Sequence, residues 1–162
     1  MFTIKAGFTD DIEIRAEGAR VREFFLDLQN FAELMPGVDS IRMDKDGVAH
    51  WRVAAEIPVV GKMEQNFAVK LEESSEDRIE WGPVNIESGN LLRFSADFQY
   101  PEPGVTRMRF TEHVELRREK ARELHFLAGV AGEALISAEM TKSVSAMIRV
   151  FMEKAKNKLE GN

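Results

Sequence analysis

From Phe2 to Ile14 the apolar side chains fall on alternate positions, Phe2, Ile4, Ala6, Phe8, Ile12 and Ile14. This period of two predicts one long strand or two shorter ones, with a bend near Asp10-Asp11, where a charged residue takes an inward position. Between Gly18 and Leu28 the period changes to the helical one. Val21, Phe24, Phe25 and Leu28 are followed by a second turn carrying Phe31, Leu34 and Met35, so two short helices are expected. Pro36-Gly37 ends them, since proline disfavours a helical residue before it and glycine frees the turn after it. Alternation then returns. Val38–Met43 is separated from Ala49, Trp51, Val53, Ala55 and Ile57 by Asp44-Lys45-Asp46-Gly47, whose Asp-Gly pair suits a tight hairpin. Met63, Gln65, Phe67, Val69 and Leu71 share the next inward face, then Ile79 and Trp81, and the acidic run Glu72–Asp77 between them is expected as a solvated turn. Leu92, Phe94, Ala96, Phe98 and Tyr100 form another such face before the turn at Pro101-Glu102-Pro103-Gly104, and Met108, Phe110, Val114 and Leu116 form the last. One-sided alternation of this kind means an antiparallel sheet with one dry face.

After a stretch from Arg117 to Gly132 whose pattern is mixed, Ile136, Met140, Val144, Met147, Phe151 and Ala155 lie on one stripe of a helix of about 25 residues, ~38 Å long. The fold class expected is therefore α+β. A curved antiparallel sheet of six to seven strands, two short helices after the first strand, and a long C-terminal helix across the concave face make one domain of residues 1–162.

A straight helix on a curved sheet touches it unevenly, and the space left is either filled or open. The inward lists supply soft, bulky candidates for a cavity lining: Trp51, Val53, Met63, Phe67, Trp81, Phe94, Phe98, Met108 and Phe110 from the sheet, with Ile136, Met140, Val144 and Met147 from the helix. Methionine suits a wall that adapts to varied apolar guests. Three polar residues interrupt the dry face: Gln65, Tyr100 and Glu112. A buried carboxyl needs a hydrogen-bond partner, a proton, a ligand or water. Glu112 therefore either bonds Gln65, Tyr100 or a water, is turned outward by a bulge, or serves a bound molecule as a polar anchor or acid-base group.

Composition narrows the chemistry. The net charge is −6 and no basic run exists, which argues against a phosphate-binding surface and hence against nucleic acid as partner. There are no cysteines, so a disulfide framework, a thiol nucleophile and Cys-ligated zinc are excluded, and a reducing, cytoplasmic setting is expected. No integral membrane segment is expected, because no apolar run approaches the ~20 residues of a span. His50, His113 and His125 are scattered, the first two on outward parity, and no metal motif, phosphate loop or nucleophile elbow is present. No cofactor or metal is expected.

The segment Val21-Arg22-Glu23-Phe24-Phe25-Leu26-Asp27 followed by Met35-Pro36-Gly37-Val38 resembles the helix pair of the START and birch-pollen-allergen superfamily, also called SRPBCC. The hairpin through Gly47, Trp51, Pro58, Gly61, Phe67 and Val69 is similar to its second to fourth strands, and the terminal helix resembles its grip helix. Within the superfamily the likeness is greatest to carbon monoxide dehydrogenase G-subunit-like proteins, then to coenzyme Q-binding and polyketide cyclase-like members. The resemblance implies a helix-grip fold with a hydrophobic cavity; it does not imply a reaction. The G-subunit-like branch often adds a C-terminal anchor; the sequence to Asn162 shows none, and a membrane role is therefore not expected. Three functions follow as expectations. The first is binding or carriage of a small hydrophobic molecule (a lipid, quinone or polyketide-like compound). The second is a cyclase- or dehydratase-type enzyme with Glu112 as acid-base group. The third is an assembly or interaction protein using Arg52, Arg93, Arg107 and Arg109 on the outer face of the sheet, or a groove at the cavity mouth.

Overall fold

The computed structural model describes residues 1–161; Asn162, which the expected domain includes, lies outside the described residues. Seven strands form one antiparallel sheet: β1 (Phe2–Ile14), β2 (Val38–Met43), β3 (Val48–Ile57), β4 (Gly61–Ser74), β5 (Arg78–Pro83), β6 (Asn90–Glu102) and β7 (Val105–Arg118). Their order is β1-β7-β6-β5-β4-β3-β2, so the meander from β2 to β7 is sequential and β1 closes on the last strand. The helices are α1 (Gly18–Leu26), α2 (Leu28–Leu34), the single turn α3 (Ala128–Ala131) and the long α4 (Glu133–Leu159).

β1 is one strand, paired without interruption from Phe2 opposite Arg118 to Ile14 opposite Thr106. The bend expected at Asp10-Asp11 is absent. Asp10, the charged residue on inward parity, is exposed where it stands, and Asp11 on the outer face accepts a hydrogen bond from Arg109 Nε at 2.7 Å, so both carboxylates sit in the strand without breaking the ladder. The free edge of β1 is covered by α4, which runs alongside it. Ser137 Oγ accepts from Lys5 N at 3.1 Å, Lys156 Nζ donates to Glu13 O at 2.8 Å, and Glu160 accepts from Arg15 N at 2.9 Å. An edge occupied in this way offers no template for another chain.

Charged residues extend two strands beyond their expected ends. β4 continues through Glu72 and Glu73 to Ser74, with a bulge between Leu71 and Glu73, and these carboxylates pair with Arg93 on β6 and Arg78 on the adjacent β5. β6 continues to Glu102 across a bulge between Gln99 and Glu102. The mixed stretch before α4 resolves into the end of β7, a 3-10 turn at Ala121–Glu123, and α3.

In α1, Val21, Phe24 and Phe25 are buried, and in α2 Leu28 and Phe31. Asp27 caps α2 by accepting a hydrogen bond from Gln29 N at 3.0 Å, which satisfies one of the amides left free at a helix start. α4 buries Ile136, Met140, Val144, Ile148, Phe151, Met152, Ala155 and Leu159. Met147, expected on the centre of the stripe, is half-buried at its flank, and Ile148 and Met152 take the inner positions. A stripe about 100° wide holds both i+3 and i+4 neighbours of Val144, and of the two the structure buries Ile148 where the expectation took Met147.

Phe31 is the hub of the interior. Its ring lies 4.5 Å from that of Phe151, 5.5 Å from Phe94, 5.9 Å from Trp51 and 6.2 Å from Phe110, centroid to centroid. Aromatic packing of this density leaves no room at the α1 end of α4.

A candidate ligand cavity beside α4

Away from Phe31, toward the middle of α4, the interior is open. A cavity of about 60 Å³ lies between β3, β4, β6 and β7 on one side and α4 on the other. β3 supplies Trp51, Val53 and Ala55, β4 supplies Met63, Gln65 and Phe67, and β6 supplies Leu92. β7 contributes Glu112, Val114 and Leu116, and α4 contributes Met140, Val144 and Met147. Met35 and Val38 close the end beside α2. The Pro36-Gly37 turn between those two residues is what lets the helix approach. Gly37 has φ +88°, and a Cβ there would meet the Met147 methyl and sit 2.8 Å from the Ala54 carbonyl oxygen.

Of the residues expected to line a cavity, Trp51, Val53, Met63, Gln65, Phe67, Glu112, Met140, Val144 and Met147 do so. Trp81, Phe94, Phe98, Met108, Phe110 and Ile136 face inward as their parity requires, but they are packed into the core outside the cavity. Tyr100 is placed elsewhere. It follows the start of the β6 bulge, is exposed, and donates its hydroxyl to Glu76 O at 2.5 Å while its ring covers Gly18. It pins α1 and has no part in the cavity. Met35, Val38, Ala55, Leu92, Val114 and Leu116 line the cavity in addition to the residues expected there. Ala55, Leu92, Val114 and Leu116 were legible as inward positions; nothing local marks which inward positions meet empty space.

Glu112 is the chemically distinctive member. It is 7 % exposed and has no hydrogen bond or ion pair with any described residue. The bonds to Gln65 or Tyr100 and the outward rotation considered from sequence are all absent, since β7 pairs without a bulge through this position. Burial among apolar walls disfavours the charged form and pushes its carboxyl up to about 8. At neutral pH it is a neutral acid, able to donate one hydrogen bond and accept another.

The other polar groups are neutral. Gln65 is held by Asn90 and Arg118, and the indole Nε1 of Trp51 is buried with no partner. Among the described residues no cluster of His, Asp or Glu is arranged to hold a metal ion. His50 is engaged with Asp44 at 2.9 Å in the β2–β3 hairpin, far from Glu112 in the sheet order. On the outer face Arg93, Arg107 and Arg109 are paired with Glu72 and Glu80, Glu13 and Asp11 respectively, while Arg52 is exposed.

No family model matches the chain, and no curated protein does. Solved structures do. A protein from Deinococcus radiodurans superposes with a TM-score of 0.63 at 16% identity, over 96% of this chain and 98% of the other. An aromatase/cyclase from Streptomyces sp. R1128 gives 0.64 at 12% identity over 97% of each chain. A di-domain aromatase/cyclase from the BE-7585A biosynthetic pathway gives 0.65 at 22% identity, over 98% of this chain but 51% of that one. At these identities the likeness is one of fold, a helix-grip arrangement of curved antiparallel sheet and long terminal helix shared with these structures. The helix-grip architecture explains why Glu112 is enclosed: the strand that carries it lies second from the sheet edge, directly beside the strand that α4 clasps. No helix of the described residues is long and apolar enough to cross a membrane.

Proposed function

We propose that this protein binds a small apolar molecule in the cavity beside α4, with Glu112 as the polar anchor at one end. The observation that carries this reading is the solitary buried carboxyl. A group in this position costs several kcal/mol if charged and about 1–3 kcal/mol if neutral but unbonded, and a guest with one polar atom removes that cost. The walls support it, since Met35, Met63, Met140 and Met147 bring four flexible side chains to one space. A cavity of about 60 Å³ is smaller than the ~150 Å³ that holds benzene in a rigid apolar site. The guest is therefore compact, or a lipid, quinone or polyketide-like body enters as the methionines move aside. The chain acts as one domain, and the absence of cysteine supports a cytoplasmic location.

Native mass spectrometry of protein purified without detergent tests the reading. A co-purifying small molecule is expected on the parent and absent from Val53→Phe, in which the new ring fills the cavity. A parent that carries nothing and that binds none of a panel of compact apolar compounds contradicts it.

A second reading, a cyclase- or dehydratase-type enzyme, draws on the same carboxyl, because an acid titrating near neutrality is suited to proton transfer. It is the weaker one, since among the described residues no second acid or base lines the cavity to complete a proton cycle. Glu112→Gln separates the two. A carrier keeps much of its affinity with an amide in that place, whereas an enzyme keeps binding and loses turnover.

A further inference from the structure

Gln65 is tied on one side only, and the tie decides which way its amide faces. Asn90 Nδ2 donates to Asn66 O at 2.8 Å and to Gln65 Oε1 at 3.0 Å. Arg118 Nη2 donates to Asn90 Oδ1 at 2.8 Å and to Gln65 Oε1 at 3.3 Å. Two of these groups have no choice of role. A backbone carbonyl only accepts and a guanidinium only donates, so the Asn90 amide is fixed, and Gln65 must present its oxygen to the pair. Its NH2 is left without a partner among the described residues, on a side chain that lines the cavity. Asn90 is buried and Arg118 half-buried, with no carboxylate among the described residues within ion-pairing distance of the guanidinium, so the cluster spends its charge on orienting neutral groups. The cavity wall thus holds three groups with a hydrogen to give: the Gln65 amide, the Glu112 hydroxyl in its neutral form, and the buried, partnerless Trp51 Nε1.

We propose that Arg118 and Asn90 are positioning residues that fix Gln65 as a hydrogen-bond donor, and that the cavity therefore selects apolar molecules bearing a carbonyl-type oxygen acceptor. This rests on the ligand-binding reading above. A donor-lined wall leaves a pure hydrocarbon with unmet groups, and buried unmet groups are what produce discrimination; an amine can be met only by the Glu112 carboxyl.

The test uses three shape-matched probes: cyclohexanone, methylenecyclohexane, in which CH2 replaces the oxygen, and cyclohexylamine. Binding is followed by NMR on the intact protein with its side-chain amides labelled. Cyclohexanone is expected to move the Gln65 NH2 resonances and leave those of Asn90 in place. In Gln65→Leu its affinity falls about tenfold, the worth of one hydrogen bond, while methylenecyclohexane changes less than twofold. Arg118→Met weakens cyclohexanone about threefold with the olefin unaffected, and Arg118→Lys, which keeps a donor for Asn90, restores most of it. A purely structural Arg118 would change both probes alike. If the ketone and the olefin respond equally to Gln65→Leu, or the Gln65 NH2 resonances stay still, the donor assignment is wrong and the cavity stands. If cyclohexylamine binds as tightly as the ketone in Glu112→Gln, where no carboxylate is left to pair with the ammonium, the selection is wrong. If none of the three binds, the ligand-binding reading itself falls.

Discussion

The two ends of the interior are built by the same sheet and the same helix, yet one is solid and the other hollow. The rings of Phe25, Phe94, Phe110 and Phe151 all pack within 6.5 Å of the Phe31 ring. Around Glu112 the facing residues include Val53, Ala55, Val114 and Val144, whose branches are short, and methionines, which bend. The difference in side-chain volume, on a backbone frame common to both ends, separates a core from a cavity. It also sorts the polar groups. A carboxyl and an amide face the hollow end, and each region holds one buried indole N–H without a partner, that of Trp51 beside the cavity and that of Trp81 stacked on Phe94 in the core.

Truncation breaks the comparison most sharply. Phe31→Ala is expected to cost about 3–5 kcal/mol in chemical denaturation, because it empties the hub of a close-packed cluster. The counterpart at the hollow end, Val144→Ala, is expected to cost only about 1 kcal/mol, since it enlarges a space that already exists. If the two changes prove equal, the ends are not differently packed.

Next in size is the pH effect of Glu112. Its carboxyl is raised from the ordinary 4.5 to about 8 in the folded chain, so the folded state holds more protons than the unfolded one between those values. The sign follows directly. The contribution to stability is complete below about pH 4.5 and is lost as pH rises through 8, at up to about 1.4 kcal/mol per pH unit. Glu112→Gln keeps the shape and removes the titration. Denaturation curves at pH 5 and pH 9 should show the variant ahead of the parent by a few kcal/mol at the higher pH only. A constant difference across that range would place Glu112 in contact with water.

The smallest expected effect concerns Tyr100. Tyr100→Phe deletes the hydroxyl bond to Glu76 O, worth about 0.5–1 kcal/mol in thermal melts, and leaves ligand affinity untouched because the residue lies outside the cavity. A change in affinity would bring Tyr100 back to the site that its parity suggested.

Tyr100 also shows where the sequence stops being legible. Alternation placed the strands and their dry face, since period two survives any detail of packing, and it put Gln65 and Glu112 inward. It could not register the one-residue slip between Gln99 and Glu102, because a bulge alters hydrogen bonding without altering the apolar pattern. Nor could it tell Phe94 and Phe110, which fill space, from Val53 and Met63, which border it. All are inward, and only the distance to the facing helix separates them. The Arg118–Asn90–Gln65 cluster joins three strands distant in sequence, and no local spacing announces it.

The central claim is that Glu112 stands neutral and unbonded in a cavity that a guest can enter. Carbon-detected NMR of the side-chain carboxyls, titrated with and without cyclohexanone, tests it most directly. The account predicts one glutamate titrating near pH 8 whose resonance moves when the ketone is added. A Glu112 resonance that titrates near 4.5 and ignores the ketone would contradict it.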